Sequence, residues 1–258
     1  MLFSFETPVK QAEIFDQKQD YLFTLAQCLS DQEYLRYVKN SGKLKILDNG
    51  ANESSNVPGE ELMKLASTIG ANIVVIPDKQ FDKETTALWF SQFIEKYGNF
   101  SAYYDFMAVP QGRNVSEMFD SLLYMVKDKR VSLIGLQFKF IRQEADFLMW
   151  IQMAINVVEN YFHKRIHFLG FGRQDQLKYD VNTMDTSVPI NYANAYRDLD
   201  LFEQGNTPHK APKGIDVWKD NLKDEQISIA FSNIDKLKIL ASGKGKDIVK
   251  EYLGFGNR

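Results

Sequence analysis

Cysteine is nearly absent from this chain: Cys28 is the one thiol among 258 residues. A single cysteine excludes an internal disulfide framework and any cysteine-rich zinc site, and it fits a reducing compartment. It lies in an apolar run and is expected to be a small buried hydrophobe. Histidine is almost as scarce. His163 and His167 stand four apart, but Lys164–Ile166 between them reads as a helix-to-strand junction, so no histidine metal centre is expected. Glycine-rich phosphate loops are missing, with neither GxGxxG nor a P-loop, and no GxSxG elbow marks a serine hydrolase. No apolar run approaches the roughly 18–20 residues that span a bilayer. The opening MLFSFETPVKQAEIFD lacks a cationic start with a long apolar core, so no secretory signal is expected and the cytoplasm is the expected location. Thirty-four acids against 31 bases give a net charge of −3, so no global field draws the chain to nucleic acid.

What is present is ordinary globular composition, 44% hydrophobic and 25% charged, arranged in two alternating periods. Short apolar runs at Tyr21–Leu29, Leu44–Leu47, Ile73–Ile76, Phe106–Val109, Ser132–Phe138 and Ile166–Gly170 read as strands buried on both faces. Helical stripes lie between them. Leu62, Leu65, Ala66 and Ile69 precede a terminating Gly70, and Ala87, Phe90, Ile94 and Tyr97 precede Gly98. Val115, Met118, Phe119, Leu122, Leu123 and Val126 follow Asn114 and Glu117 at capping-box spacing. Phe147, Ile151, Ala154, Ile155, Val158 and Phe162 give a further stripe. Strands recurring every 25 to 35 residues or so fit βα units, and hence an α/β chain of the (β/α)8 TIM-barrel type; an open doubly wound sheet is the alternative. Residues 1–202 are expected to form the barrel core. From Glu203 to Gly214 the composition turns polar, as a lid or a connection, and 203–258 reads as a short extension completing or covering the barrel. Within it Asp224–Leu240 reads as a helix, or a strand plus helix, and the lysines of Lys236–Lys246 as a solvated surface.

In such a barrel the C-terminal strand ends face the active site. Asp48-Asn49-Gly50-Ala51-Asn52-Glu53, Pro77-Asp78, Pro110-Gln111-Gly112, Gly135-Leu136-Gln137 and Leu169-Gly170-Phe171-Gly172 occupy those places, and Thr183-Met184-Asp185-Thr186-Ser187 follows a short polar stretch. Any one of them alone reads as a helix cap or turn. Together they describe a shared polar rim of carboxylates, a carboxamide and two glycine turns.

The ordered series DNGANE, VVIPD, AVPQG, IGLQ, HFLGFG and MDTS resembles the barrel of tRNA-guanine transglycosylases over about residues 20–200. It is most similar to the short phage and bacterial relatives proposed to insert 7-deazaguanines into DNA. The resemblance implies a glycosyltransferase that replaces guanine in a polynucleotide with a 7-deazaguanine through a covalent sugar–enzyme intermediate. It implies Asp185 as nucleophile and Asp48 as general acid/base. Asp78 would read the N1–H and N2 edge of guanine, and Gln111 its carbonyl. Gly135-Leu136 would be a turn whose backbone meets the base, with Leu169-Gly170 as the other wall. A retaining exchange of this kind suits paired carboxylates. No cofactor and no metal are implied. The family's tRNA enzymes carry a Cys/His zinc site that one cysteine cannot supply, so DNA is favoured over tRNA as the partner. A nucleoside or N-glycosyl hydrolase on the same barrel, and a non-catalytic 7-deazaguanine- or nucleic-acid-binding protein, stay open, as does a homo-oligomeric state.

Overall fold

Eight short segments with mainly apolar centres form the strands of the computed structural model, which describes residues 1–51, 57–137, 144–170, 172, 174–179, 181–199 and 216–242. They are β1 (Leu2–Phe5), β2 (Leu22–Leu25), β3 (Lys45–Asp48), β4 (Ile73–Val75), β5 (Asp105–Ala108), β6 (Val131–Gln137), β7 (Arg165–Leu169) and β8 (Thr183–Thr186). Their order in one sheet is β1-β8-β7-β6-β5-β4-β3-β2, and the registered pairings are parallel. Helices intervene: α1 (Gln32–Asn40), α2 (Gly59–Ile69), α3 (Lys83–Tyr97), α4 (Val115–Val126), α5 (Glu144–Ile155), α6 (Val188–Asn194) and α7 (Asp224–Ala241). The fold is α/β, of the (β/α)8 TIM type. No helix among the described residues is long and apolar enough to cross a membrane.

Contacts divide the chain into two compact units, Phe23–Leu169 and Met1–Leu22 with Gly170–Arg258. In the first, β3 to β7 pair in consecutive order. Gly135 of β6 stands in register with His167 of β7, and the His167 ring stacks on Phe23 of β2 at 5.3 Å and 1°. A Cβ at Gly135 would lie 2.9 Å from a Leu169 methyl and 3.1 Å from Val109, so a side chain there would collide with its neighbours on that face of the sheet. The helices follow their sequence signals. Gly70 ends α2 in the left-handed region at φ 64°, a conformation that costs glycine nothing. Asn114 caps α4 by accepting from the Glu117 N–H at 2.9 Å; the returning Glu117 carboxylate accepts from Arg113 N–H instead, one residue before the cap.

In the second unit β1 pairs β8, with Ser4 opposite Asp185 and Phe5 opposite Thr186. Helix α7 packs near β1, where Lys238 lies 5.8 Å from the Phe5 ring and reaches Asp20 at 2.6 Å. Lys18 pairs with Asp235 and Lys236 with Asp198. The described lysines of the expected solvated run thus hold specific partners, whereas Lys244 and Lys246 lie outside the described residues.

Several expectations are corrected. The Tyr21–Leu29 run forms only a four-residue strand, and Ala26–Ser30 turns into a 3-10 helix. Cys28 therefore sits half-buried in that turn instead of inside a strand. Gly98 keeps right-handed helical geometry and opens a 3-10 turn, so it ends α3 without a left-handed cap. The Phe147–Phe162 stripe passes from α5 into a π-helical turn over Asn156–Tyr161. Asp224–Ala241 is one helix. The Glu203–Gly214 segment, Asn52, Glu53, Phe138 and Phe171 lie outside the described residues.

Candidate functional site

Within Phe23–Leu169 polar residues stand at successive strand ends, and hydrogen bonds link Asn49, Asp78, Gln111 and Gln137. Asp48 closes β3, Asp78 follows β4 by three residues, Gln111 follows β5 by three, and Gln137 closes β6. Asp78 is 3% exposed, yet among the described residues its carboxylate is held only by neutral donors: Asn49 Nδ2 gives a hydrogen bond at 2.7 Å to one oxygen, and Gln111 Nε2 one at 2.6 Å to the other. Burial pushes its pKa up to about 6, against the partial opposition of those two amides. No cation contributes to that shift.

The amides are themselves fixed. Asn49 Nδ2 also donates to the Ile76 carbonyl at 2.9 Å, and its Oδ1 accepts from Ala51 N–H at 2.7 Å. Gln111 Oε1 accepts from Phe81 N–H at 3.1 Å and from Gln137 Nε2 at 3.3 Å, while Gln111 N–H donates to Ser121 at 3.2 Å. These bonds set which end of each amide faces Asp78. Phe81 pays for its part with a left-handed backbone, φ 61°, unusual for a bulky residue, and its ring stays exposed. Asp48 is buried and accepts from the Gly50 N–H at 2.9 Å.

The arrangement is a buried carboxylate clamped by two carboxamides, with a second carboxylate on the neighbouring strand. An ionised carboxylate has about four acceptor positions, and Asp78 uses two on protein amides. It suits a planar ligand edge carrying adjacent N–H donors, and it can also hold or release a proton near pH 6. Among the described residues no group of three or more His, Cys, Asp or Glu side chains could hold a metal ion.

The structure therefore joins Asp78 to Gln111, places Asp48 at the end of the neighbouring strand, and adds Asn49 and Gln137, to which no site role was assigned. Both carry a legible signal: an amide directly after an apolar run. Gly135 and Leu136 are corrected: they lie inside β6, with backbone committed to the sheet, and make no turn. Leu169 ends β7.

In the other unit Gly170 adopts φ 75° and donates its N–H to the Asp185 carboxylate at 3.0 Å. Asp185 is the third of four residues of β8, so it belongs to the strand and does not follow one; it is 3% exposed. Tyr21 is buried in the same unit, its hydroxyl pKa pushed well up, first by burial and then by the charges of Asp185 and Asp20.

No protein-family model and no curated protein matches the sequence. Solved structures do show similarity. N-acetylneuraminate lyase from Fusobacterium nucleatum is 13% identical over 95% of this chain and 98% of its own, with a TM-score of 0.48. A variant methylaspartate ammonia lyase from Clostridium tetanomorphum is 10% identical over 93% and 58%, with a TM-score of 0.47. An enolase protein from the environmental genome shotgun sequencing of the Sargasso Sea is 7% identical over 65% and 45%, at 0.38. The chain spans about half the length of these last two. The expectation of a glycosyltransferase is corrected on this finding: the similar structures carry lyase and enolase names, and the glycosyltransferase assignment is withdrawn. At such identities no reaction transfers from them to this chain.

Proposed function

We propose that the strand-end network of Phe23–Leu169 recognises a guanine-type heterocycle, guanine or a 7-deazaguanine, by its N1–H and 2-amino edge. Asp78 is the acceptor, Asn49 and Gln111 hold its carboxylate in place, and Asp48 is a second acceptor on the neighbouring strand. The observation that carries this reading is the Asp78 carboxylate, buried with amide partners and no countercharge. Two parallel N–H donors from one ligand edge complete such a group without bringing a cation into the pocket. Adenine has no N1–H, so it would leave a buried Asp78 oxygen unpaired at a cost of about 1–3 kcal/mol, enough to reject it. The same edge is offered by a free base and by a nucleotide extruded from a polynucleotide, DNA in preference to tRNA.

Calorimetric titration of the full chain with guanine, 7-deazaguanine, adenine, single-stranded DNA and tRNA tests this. Guanine and 7-deazaguanine should bind at least about tenfold tighter than adenine, and Asp78→Asn should remove that preference. Tighter binding of DNA than of the free base places the base in a polymer. Equal binding of guanine and adenine, or a preference unchanged in Asp78→Asn, contradicts the reading.

A further inference from the structure

A cavity of about 440 Å3 opens within the same unit, between the start of α2 and one face of α3. Trp89, Phe93 and Tyr97 recur every fourth residue along α3 and line it together, with Pro58 from the start of α2 and Pro77 from the loop after β4. The ring walls are fixed. Phe93 meets Phe106 edge-on at 5.3 Å and 87°, and meets Tyr97 tilted at 5.1 Å and 50°. Gly59 keeps the space open, because a Cβ there would stand 3.0 Å from Phe93 Cδ2 and 3.4 Å from Tyr97 Cε2.

Of the polar groups at this cavity, Asn49, Lys96 and Glu60 are engaged, and Gln92 is exposed. Asn49 gives its NH2 to Ile76 and Asp78, and its oxygen accepts from Ala51. Lys96 pairs with Glu60 at 3.0 Å, and its ammonium lies 5.2 Å from the Tyr97 ring. The lining thus offers ring faces and proline edges, with no uncompensated charge and no unfilled metal-type donor set. A space of this size, walled by rigid aromatic faces, accepts a small planar molecule.

We propose that this cavity is a second ligand site, separate from the Asp78 network, that binds a flat, uncharged aromatic ring of one or two fused cycles. Trp89 supplies the broadest stacking face, and Phe93 and Tyr97 complete the slot. The ligand inserts without breaking the Lys96–Glu60 pair, so a neutral ring binds better than a charged one of the same shape. Asn49 is the shared wall between the two sites, but its hydrogen bonds stay in place when the ring enters. The assignment does not rest on the guanine reading.

The test uses the full-length chain and 5-fluoroindole, followed by fluorine NMR. Saturable broadening of the fluorine signal is expected. Trp89→Ala should weaken binding at least about fivefold, as lost stacking predicts. Gly59→Val, which fills the slot, should weaken it as much. Leu88→Ala, on an exposed position of the same helix, should bind as the native chain does. Indole-3-acetate and tryptamine should compete less well than neutral indole. Absence of saturable binding to the native chain overturns the proposal. So does native affinity in folded Trp89→Ala, or better competition by either charged indole.

Discussion

The two ends of strands β3 to β7 handle charge in opposite ways. At the N-terminal ends carboxylates meet cations: Asp105 of β5 pairs with Arg165 of β7 at 2.7 Å, and Asp128 before β6 pairs with Arg130 at 2.6 Å. Lysines there are spent on carbonyls, Lys45 on Ile69 at 2.9 Å, and Lys164 on Asp128 and Val131. Burial lowers the pKa of both lysines. At the C-terminal ends Asp78 meets only carboxamides, and its pKa moves the other way, to about 6. Paired ends close the structure. An end whose carboxylate lacks a countercharge keeps binding capacity for a ligand, which is why the N-terminal ends of barrel strands read as stability and the C-terminal ends as function.

The largest expected effect on this contrast is in pH dependence. Asp78 titrates near 3.8 when unfolded and near 6 when folded, so the native state holds its proton longer. The resulting stability is complete below about pH 4 and is lost as pH rises through 6, by roughly 3 kcal/mol relative to a chain without that carboxyl. Urea titrations of the native chain and Asp78→Asn between pH 4 and 7 should diverge by that amount; parallel curves would refute an uncompensated Asp78. Next comes Arg165→Met. It should cost about 1–2 kcal/mol of stability, because Asp105 is left half-buried without its partner, while guanine binding stays native. Altered binding with unchanged stability would reverse the roles assigned to the two ends. The smallest effect belongs to Phe81→Gly, which relieves the left-handed backbone and should raise stability by under about 1 kcal/mol in thermal melts. A clear loss would show that the Phe81 ring packs more than its exposure indicates.

Most of the fold was legible because strands covered on both faces are nearly continuous apolar runs, as in Ile73–Val75 and Asp105–Ala108. β1 and β8 were not. Leu2–Phe5 is four residues interrupted by Ser4, and Thr183–Thr186 carries Asp185 in its midst, so neither offers a run long enough to register. Asp78 and Gln111 were visible as polar residues directly after apolar runs. What the pattern could not convey is which donors reach which acceptors. Asn49 looked like the second residue of a turn, and its amide turns out to hold Asp78. Gly135 looked like a turn because glycine marks both turns and crowded strand positions, and only the neighbours Val109 and Leu169 separate the two. The aromatic slot on α3 was hidden for a similar reason, since an apolar stripe looks the same whether it packs or lines a cavity.

The central claim is that Asp78 accepts a ring N–H. 1-Methylguanine carries a methyl group in place of that proton, so its affinity for the full chain at pH 7 relative to guanine, measured by calorimetry in the native and Asp78→Asn chains, tests it most directly. Guanine should bind at least about tenfold tighter, with the difference clearly smaller in Asp78→Asn. Equal affinity of the native chain for the two bases would contradict the account.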